Sequence, residues 1–206
     1  MFYHSWVAVL HSSIPPRTLH TVFLDRDGVI NQKLPEGRYV SSASEFVPLP
    51  GVPEAIARLN RAGLRVIVIS NQRGIALGLY TAADVLDLHD AFQVMLEMYG
   101  AHVDAFYFCP HDKAQCNCRK PLPGLFDQAR AEFPAITAHA SVVLGDSWSD
   151  IEFGRRLGML TVFIDGDPAL RKPGAEAARD SADMHFANLP QAVDALLAVH
   201  VATARP

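Results

Sequence analysis

Apolar residues follow two spacings along the chain, and stretches of the two kinds alternate. Continuous apolar runs of strand length are separated by stretches in which apolar residues recur every three or four positions, as on a helix with one buried face. The first pattern predicts strands over residues 21–24, 64–69, 105–108, 141–144 and 160–164. The second predicts helices over residues 52–62, 82–99, 124–133, 149–157 and 189–199.

The order of these elements predicts the fold class. Strands that alternate with helices imply right-handed crossovers and a parallel sheet covered on both faces, and strands buried on both faces are apolar throughout. We therefore expect an α/β protein, a Rossmann-like three-layer sandwich around a central parallel sheet. A chain of 206 residues suits one domain. We expect that domain to span residues 21–206 and residues 1–20 to be a poorly ordered leader.

Composition and charge exclude several classes of function. Half of the residues are hydrophobic and 19% are charged, a globular balance, and the longest apolar runs fall far short of the ~18 residues of a membrane span. The net charge is −4 and the basic residues are scattered, so neither nucleic acid nor membrane is expected as a partner. Three cysteines, an odd number within ten residues, form a poor disulfide framework and favour the cytoplasm.

Polar residues follow four of the predicted strands. In an open parallel sheet the carboxyl ends of the strands face one crevice, where ligands bind. Singly, such residues are more often turn formers, helix caps or surface charges, but their meeting at one edge favours a site. They are Asp25, Arg26, Asp27 and Gly28; Ser70, Asn71 and Gln72; Arg119 and Lys120; and Gly145 and Asp146.

Three of these residues are carboxylates, namely Asp25, Asp27 and Asp146. Gathered at one edge they would repel one another, and a hard cation such as Mg²⁺ relieves that repulsion. Asp25 and Asp27 are one residue apart, so on an extended backbone both side chains leave on the same side. One can then attack phosphorus while the other protonates the leaving alcohol. The pattern predicts a magnesium-dependent site for phosphoryl transfer.

A second metal site is predicted between the third strand and Lys120. Cys109, His111, Cys116 and Cys118 form a Cys₃His set suited to tetrahedral zinc, in a segment too polar to be a core. Four protein ligands leave no open position for chemistry. We therefore expect a structural zinc that fixes the loop and directs Arg119 and Lys120 to the site.

Together these motifs resemble the haloacid dehalogenase superfamily. The resemblance rests on Asp-x-Asp-Gly at residues 25–28, on Ser70, on Lys120, and on Gly-Asp-x-x-x-Asp at residues 145–150. It implies a phosphatase that forms an aspartyl-phosphate on Asp25, with Asp27 as general acid and base. Ser70 and Lys120 would stabilise the phosphoryl group.

The resemblance also implies the magnesium ligands, Asp25, the backbone carbonyl of Asp27, and Asp146. Asp150 is expected to lie behind them at most. Val29 departs from the superfamily, which usually has Thr after the Asp-x-Asp-Gly block. The short spacing between residues 31 and 51 suits a nearly capless member.

The loop that carries the predicted zinc ligands, residues 109–118, is called the zinc loop. It resembles the corresponding loop of two nearly capless branches of the superfamily, one acting on heptose bisphosphate and one on histidinol phosphate. Residues 70–76 and 37–40 favour the heptose branch. The four residues between His111 and Cys116, and Leu77 where heptose enzymes tend to have Arg, favour the other. The residues predicted to bind the substrate are Arg26, Arg38, Asn71, Gln72, Arg73 and Arg119.

The leading interpretation is a monomeric enzyme that hydrolyses a small phosphorylated metabolite, a sugar bisphosphate before histidinol phosphate. A phosphatase of another pathway on the same scaffold is an alternative, because loops set the substrate. A non-catalytic, zinc-bearing binding module is a remote one. The presence of both Asp25 and Asp27 opposes it, because a binding module needs no nucleophile and acid pair.

Overall fold

The computed structural model describes residues 17–203, and within them six parallel strands form one sheet. The strand order is β3-β2-β1-β4-β5-β6, with β1 at the centre between β2 and β4. The strands are β1 (Thr21–Leu24), β2 (Arg65–Asn71), β3 (Ala105–Cys109), β4 (Ser141–Gly145), β5 (Leu160–Ile164) and β6 (Met184–Phe186). The helices are α1 (Val52–Arg61), α2 (Arg73–Ala76), α3 (Ala82–Glu97), α4 (Gly124–Glu132), α5 (Trp148–Leu157), α6 (Ala175–Ser181) and α7 (Leu189–Thr203).

Side chains of the central strand alternate between the two faces of the sheet. Val22 and Leu24 pack into a core with residues of α1 and α7, whereas Phe23 packs on the other face with residues of α4 and α5. Both faces are thus covered, which is why the strand is apolar throughout. The predicted three-layer α/β sandwich with a parallel sheet is confirmed.

Local sequence signals fix where two helices begin. Thr81 caps α3 in a reciprocal capping box with Asp84, and Ser147 caps α5 in the same way with Asp150. The second box has a consequence for the site, because it places α5 directly after Asp146 and holds Asp150 at its first turn.

All predicted strands and helices are present, and most of their ends agree within two residues. β2 continues through Ser70 to Asn71, and α3 ends at Glu97 instead of residue 99. The pattern missed β6, α2 and α6, because elements of three to seven residues are too short to show a period.

The segment between β1 and α1 contains only turns and isolated bridges over residues 25–51, so no domain is inserted there. Of the predicted leader, residues 1–16 lie outside the described residues. Leu19 is buried in the core, and the His20 amide donates to the carbonyl of Ala140 at 2.8 Å. Within residues 17–203, no helix has the length and apolar character needed to cross a membrane.

Candidate active site

Two carboxylates stand side by side at the carboxyl edge because their strands are paired in register. Leu24 of β1 lies opposite Leu144 of β4, and the amide of Asp25 donates to the carbonyl of Leu144 at 2.9 Å. One residue beyond Gly145 the chain reaches Asp146. Asp25 and Asp146 therefore meet although 121 positions separate them (146 minus 25).

A third carboxylate completes a cluster suited to a cation. One oxygen each of Asp25, Asp146 and Asp150 lie within 4.8 Å of one another, and all three residues are buried. Asp146 Oδ1 accepts no hydrogen bond from the described residues. A buried carboxylate oxygen without a donor, beside two more carboxylates, fits a hard divalent cation. Asp150, expected behind the metal ligands, thus has a carboxylate oxygen within 4.8 Å of oxygens of Asp25 and Asp146.

A lysine ammonium balances part of this negative charge. Lys120 Nζ donates to Asp25 Oδ1 at 2.8 Å and to the carbonyl of Ile69 at 2.8 Å, and lies 2.6 Å from Asp150 Oδ1. Burial, the largest single effect, would raise the pKa of Asp25. The charge and hydrogen bond of Lys120, the charge of Lys172 and the amide of Arg26 together outweigh it and lower that pKa. Burial would likewise lower the pKa of Lys120, yet Asp150 and Asp25 raise it. The lowered pKa favours the ionised form of Asp25, the form in which a carboxylate can act as a nucleophile.

Asp146 is in a different electrostatic position. Burial and the nearby charge of Asp25 raise its pKa to about 6. Lys33 Nζ lies 2.5 Å from Asp146 Oδ2 and opposes this effect, and Lys172 acts in the same sense. Within residues 17–203, three lysines thus surround three carboxylates, so a bound divalent cation would leave the site positive and suited to a phosphate dianion.

The turn after β1 passes very close to this cluster. Gly28 has φ +98°, and a Cβ at this position would lie 2.2 Å from Asp146 Oδ2. The backbone therefore requires glycine both for its dihedral angle and for space. This close approach holds Asp27 at the edge of the carboxylate cluster.

Asp27 has partners of its own, distinct from those of Asp25. Its carboxylate pairs with Arg26 at 3.0 Å, accepts from Asn31 Nδ2 at 2.9 Å and from Gln72 Nε2 at 3.4 Å, and remains 29% exposed. Arg26 and Gln72 are buried, lie outside the cavity lining and contact Asp27. The substrate contacts expected for these two residues stay a prediction.

Asn71 and Ser70 also lie at the end of β2. Asn71 forms two hydrogen bonds with the backbone of Lys120. Asn71 Nδ2 donates to the Lys120 carbonyl at 3.1 Å, and the Lys120 backbone N–H donates to Asn71 Oδ1 at 3.0 Å. Ser70 is buried beneath the cavity surface, where its Oγ accepts from Gln72 Nε2 at 3.1 Å. Asn71 lines the cavity and fixes the loop that carries Lys120.

A cavity of about 750 Å³ opens above these groups, and three predicted arginines line it. Arg38 and Arg119 border it, and Arg119 Nη1 donates to the carbonyl of His111 at 3.4 Å. Arg73 also lines it, but its guanidinium is already paired with Asp112 at 2.5 and 3.2 Å. This pairing lowers the pKa of Asp112 to about 2. Arg73 therefore braces the zinc loop against α2.

The predicted zinc ligands converge as their spacing implies. Cys109 Sγ lies 3.5 Å from Cys116 Sγ and 3.8 Å from His111 Nδ1, and Cys118 Sγ lies 3.3 Å from His111 Nδ1. A tetrahedral zinc with bonds of about 2.3 Å to sulfur has edges of about 3.8 Å between ligands. The four side chains thus fit a zinc ion.

Residues 17–158 match the family of haloacid dehalogenase-like hydrolases, more than half of the chain. The chain belongs to this family. The D-glycero-alpha-D-manno-heptose-1,7-bisphosphate 7-phosphatase of Mycobacterium tuberculosis is 39% identical over 137 residues, covering 66% of this chain and 72% of that protein. The D-glycero-beta-D-manno-heptose-1,7-bisphosphate 7-phosphatase of Neisseria meningitidis is 34% identical over 171 residues, covering 82% and 85%.

A crystal structure of D,D-heptose 1,7-bisphosphate phosphatase from Bordetella bronchiseptica, complexed with magnesium and phosphate, is also similar to this haloacid dehalogenase-like hydrolase. The TM-score is 0.76 and the identity 29%, covering 87% of this chain and 99% of that one. The family and these relatives support a phosphatase. The resemblance predicted from the strand-end motifs is confirmed.

Sequence reasoning missed three residues that border the site of this haloacid dehalogenase-like hydrolase. Lys33, Lys172 and Trp148 all line the cavity. Arg171 fixes the segment before Lys172, because its Nε donates to the carbonyl of Asp165 at 3.2 Å. The lysines carry no local signal, since a loop lysine has the same appearance in a sequence whether it faces solvent or a site. Trp148 follows Ser147 at the start of α5, and that position was the available signal.

Proposed function

We propose that the protein is a magnesium-dependent phosphatase that forms an aspartyl-phosphate on Asp25. The observation that carries the proposal is that the carboxylates of Asp25 and Asp27 have different surroundings. Asp25 is buried against Lys120 beside Asp146, whereas Asp27 is held by Arg26 and is partly exposed to the cavity. Paired carboxylates with different surroundings suit a nucleophile and a proton carrier.

The reaction follows from these positions. An Asp25 oxygen attacks phosphorus, the bond from phosphorus to the leaving oxygen breaks, and Asp27 gives its proton to that oxygen. Water then attacks the phosphoenzyme, Asp27 takes a proton from it, and the phosphorus bond to Asp25 breaks to release phosphate. Lys120 holds Asp25 in place and offsets the charge of the phosphoryl oxygens.

Magnesium fits the carboxylate cluster of Asp25 and Asp146, with Asp150 close enough to contribute. In the proposal the backbone carbonyl of Asp27 completes the protein ligands. The ion would supply positive charge to the phosphoryl group as it is transferred. The zinc in turn would be held by Cys109, His111, Cys116 and Cys118.

The substrate proposed is D-glycero-D-manno-heptose 1,7-bisphosphate, hydrolysed at the 7-phosphate. Relatives at 34 and 39% identity bear that activity in their names, with both the alpha and the beta anomer represented. Arg38 and Arg119 border the cavity and are suited to a second phosphate, because a guanidinium can bind phosphate with two parallel hydrogen bonds. Arg73 would have to leave Asp112 to join them.

The test compares purified enzyme on heptose bisphosphate of each anomer, histidinol phosphate and p-nitrophenyl phosphate, with and without Mg²⁺. Histidinol phosphate is included because the zinc loop is short. We expect a heptose bisphosphate to give the highest kcat/KM and chelation of Mg²⁺ to abolish turnover. Turnover of histidinol phosphate above both anomers would contradict the substrate, and equal activity in chelator would contradict the metal.

The residue-level test is Arg119→Ala. We expect kcat/KM for the bisphosphate to fall about 100-fold, and that for p-nitrophenyl phosphate, which lacks a distal phosphate, to change less than about threefold. Arg130→Ala, which removes an arginine of α4 outside the cavity lining, is the matched control. An equal loss for both substrates would assign Arg119 to the reacting phosphate or to the loop.

A further inference from the structure

Gln72 and Tyr80 form a buried pair next to the site, and neither residue takes part in the steps of the proposed reaction. Tyr80 Oη donates to Gln72 Oε1 at 2.7 Å. At the other end of the same amide, Gln72 Nε2 donates to Ser70 Oγ at 3.1 Å and to Asp27 Oδ2 at 3.4 Å. One side-chain amide therefore links Tyr80 to the proposed acid and base.

The orientation of this amide depends on Tyr80. The oxygen and nitrogen of a glutamine amide occupy equivalent positions, so only their partners decide which way the group faces. Burial raises the pKa of Tyr80 to about 12, so its hydroxyl stays protonated and donates. A donor at this end holds Oε1 and turns Nε2 toward Asp27. The flipped amide would set Oε1 against the ionised form of the Asp27 carboxylate, the form that must take a proton from water, and two acceptors would then face each other with no proton between them.

Packing in turn fixes the position of the phenol. The Tyr80 ring lies on the backbone of Gly74, where a Cβ would come within 2.0 Å of Tyr80 Cε1. The ring also packs on Tyr39, with 5.8 Å between ring centroids. The amide of Leu79 donates to the carbonyl of Gly74 at 2.9 Å and closes the turn between them. The hydroxyl can therefore serve as a fixed reference for the amide.

We propose that Tyr80 is a positioning residue for acid and base chemistry, acting through Gln72 to direct the carboxylate of Asp27 at the leaving-group oxygen. This inference rests on the proposed function, in which Asp27 carries the proton. Arg26 and Asn31 also hold Asp27, so the carboxylate stays in the site without Tyr80. What Tyr80 controls is the direction in which Asp27 faces, and therefore the efficiency of proton transfer.

The first variant is Tyr80→Phe, which keeps the ring and removes the hydroxyl. We compare p-nitrophenyl phosphate, an activated ester that needs little protonation of its leaving group, with glycerol 3-phosphate, an alkyl ester that needs much. We expect kcat for the alkyl ester to fall about tenfold and kcat for the activated ester to fall less than about twofold, with both KM values unchanged. The ratio of the two rates does not depend on how much of the sample is folded.

The matched control is Tyr107→Phe. Its hydroxyl also donates one 2.7 Å hydrogen bond, to Glu132, and neither residue lines the cavity. The variant should leave the ratio of the two rates at the wild-type value. A change in that ratio as large as the one in Tyr80→Phe would overturn the inference, because any lost tyrosine hydroxyl would then suffice.

A double-mutant cycle tests whether Tyr80 acts through the amide. Gln72→Met removes the amide, and in that background Tyr80→Phe should change the ratio by less than about twofold. Equal losses on both esters in Tyr80→Phe, or effects that multiply in the double variant, would overturn the inference while leaving the phosphatase intact. A wild-type enzyme that hydrolyses neither these esters nor heptose bisphosphate would instead refute the proposed function.

Discussion

Asp25 and Asp27 show how two identical side chains acquire different chemistry from their neighbours. The charges of Lys120 and Lys172 and two hydrogen bonds lower the pKa of Asp25 against the opposing effect of burial, and packing places that carboxylate beside those of Asp146 and Asp150. Asp27 faces a guanidinium and two amides and is partly exposed. In the proposed reaction a nucleophile must remain ionised and a proton carrier must reach the leaving group, and these two environments suit those roles.

Asp25→Asn tests the nucleophile. A neutral amide can neither attack phosphorus nor bind Mg²⁺ well, so we expect less than about 1% of wild-type kcat. Asp87→Asn, on the exposed face of α3, is the control and should keep full activity. Thermal unfolding confirms that both variants fold. Turnover by Asp25→Asn at more than a few per cent of wild type would remove Asp25 from the mechanism.

His89 is a buried imidazole whose ring nitrogens have no hydrogen-bond partner among the described residues. It stacks on Phe106 with 4.4 Å between ring centroids. Burial, with a smaller effect from the charge of Arg26, lowers the pKa of His89 to about 3. Since the folded state disfavours the proton, His89 is neutral in the native protein at neutral pH.

This predicts a pH-dependent stability. The folded pKa of about 3 lies below the ordinary value of 6.5, so the contribution of His89 is fully present above pH 6.5 and is lost as the pH falls. We expect the free energy of unfolding in urea to fall by about 2 kcal/mol more between pH 7 and pH 5 in wild type than in His89→Phe. Parallel curves for the two proteins would show that His89 is accessible to protons in the folded state.

At the scale of elements, the segment from Cys109 to Lys120 carries the proposed catalytic lysine on a stretch with no helix or strand of its own after β3. Asn71, at the end of β2, holds the carboxyl end of this segment through two hydrogen bonds to the backbone of Lys120. The paired Arg73 and Asp112 brace its middle. In the proposal a zinc ion on the Cys₃His set supplies the remaining constraint, because so short a loop cannot bury enough apolar surface to hold itself.

We therefore expect purified protein to contain about one zinc per chain by elemental analysis. Cys116→Ser should lose most of it and lower the free energy of unfolding by several kcal/mol, because metal binding and loop folding are coupled. Ser42→Ala, in an exposed turn remote from the cysteines in sequence, is the control and should keep its zinc. A zinc-free wild-type protein, purified without chelator, would contradict the proposal.

At the scale of the whole molecule, the proposed cation site joins the two halves of the sheet. Asp25 follows β1, and Asp146 and Asp150 follow β4, so an ion among them binds only when both parts of the chain are folded. A ligand that binds the folded state alone stabilises it by mass action.

Saturating Mg²⁺ should therefore raise the Tm of the wild-type protein by about 5–10 °C, as expected for about 2–3 kcal/mol in a chain of this length. Asp146→Asn should lose most of this shift while keeping the fold, because the amide is nearly isosteric with the carboxylate. The measurement is thermal unfolding at several Mg²⁺ concentrations. A shift of the same size in Asp146→Asn would place the ion elsewhere.

The sequence by itself determined the fold class and the family, and it predicted which residues meet at the candidate site. Apolar periodicity gave the order of strands and helices, because burial on two faces or on one leaves a local pattern. The parallel arrangement that this alternation predicts then implied that Asp25, Ser70 and Asp146 meet at one edge, because parallel strands end on the same side. The Cys₃His set could be predicted as a candidate zinc site from its residue types and their spacing alone.

Only the tertiary structure decided where the remaining polar side chains face. Lys33 meets Asp146 across 113 positions and Arg73 meets Asp112 across 39, and no local pattern encodes such contacts between loops. Arg26 and Gln72 have the residue types that bind phosphates and sugars, yet packing buries them beneath Asp27. Residue type and spacing are local properties, whereas burial and side-chain direction are set by the other elements that pack around them.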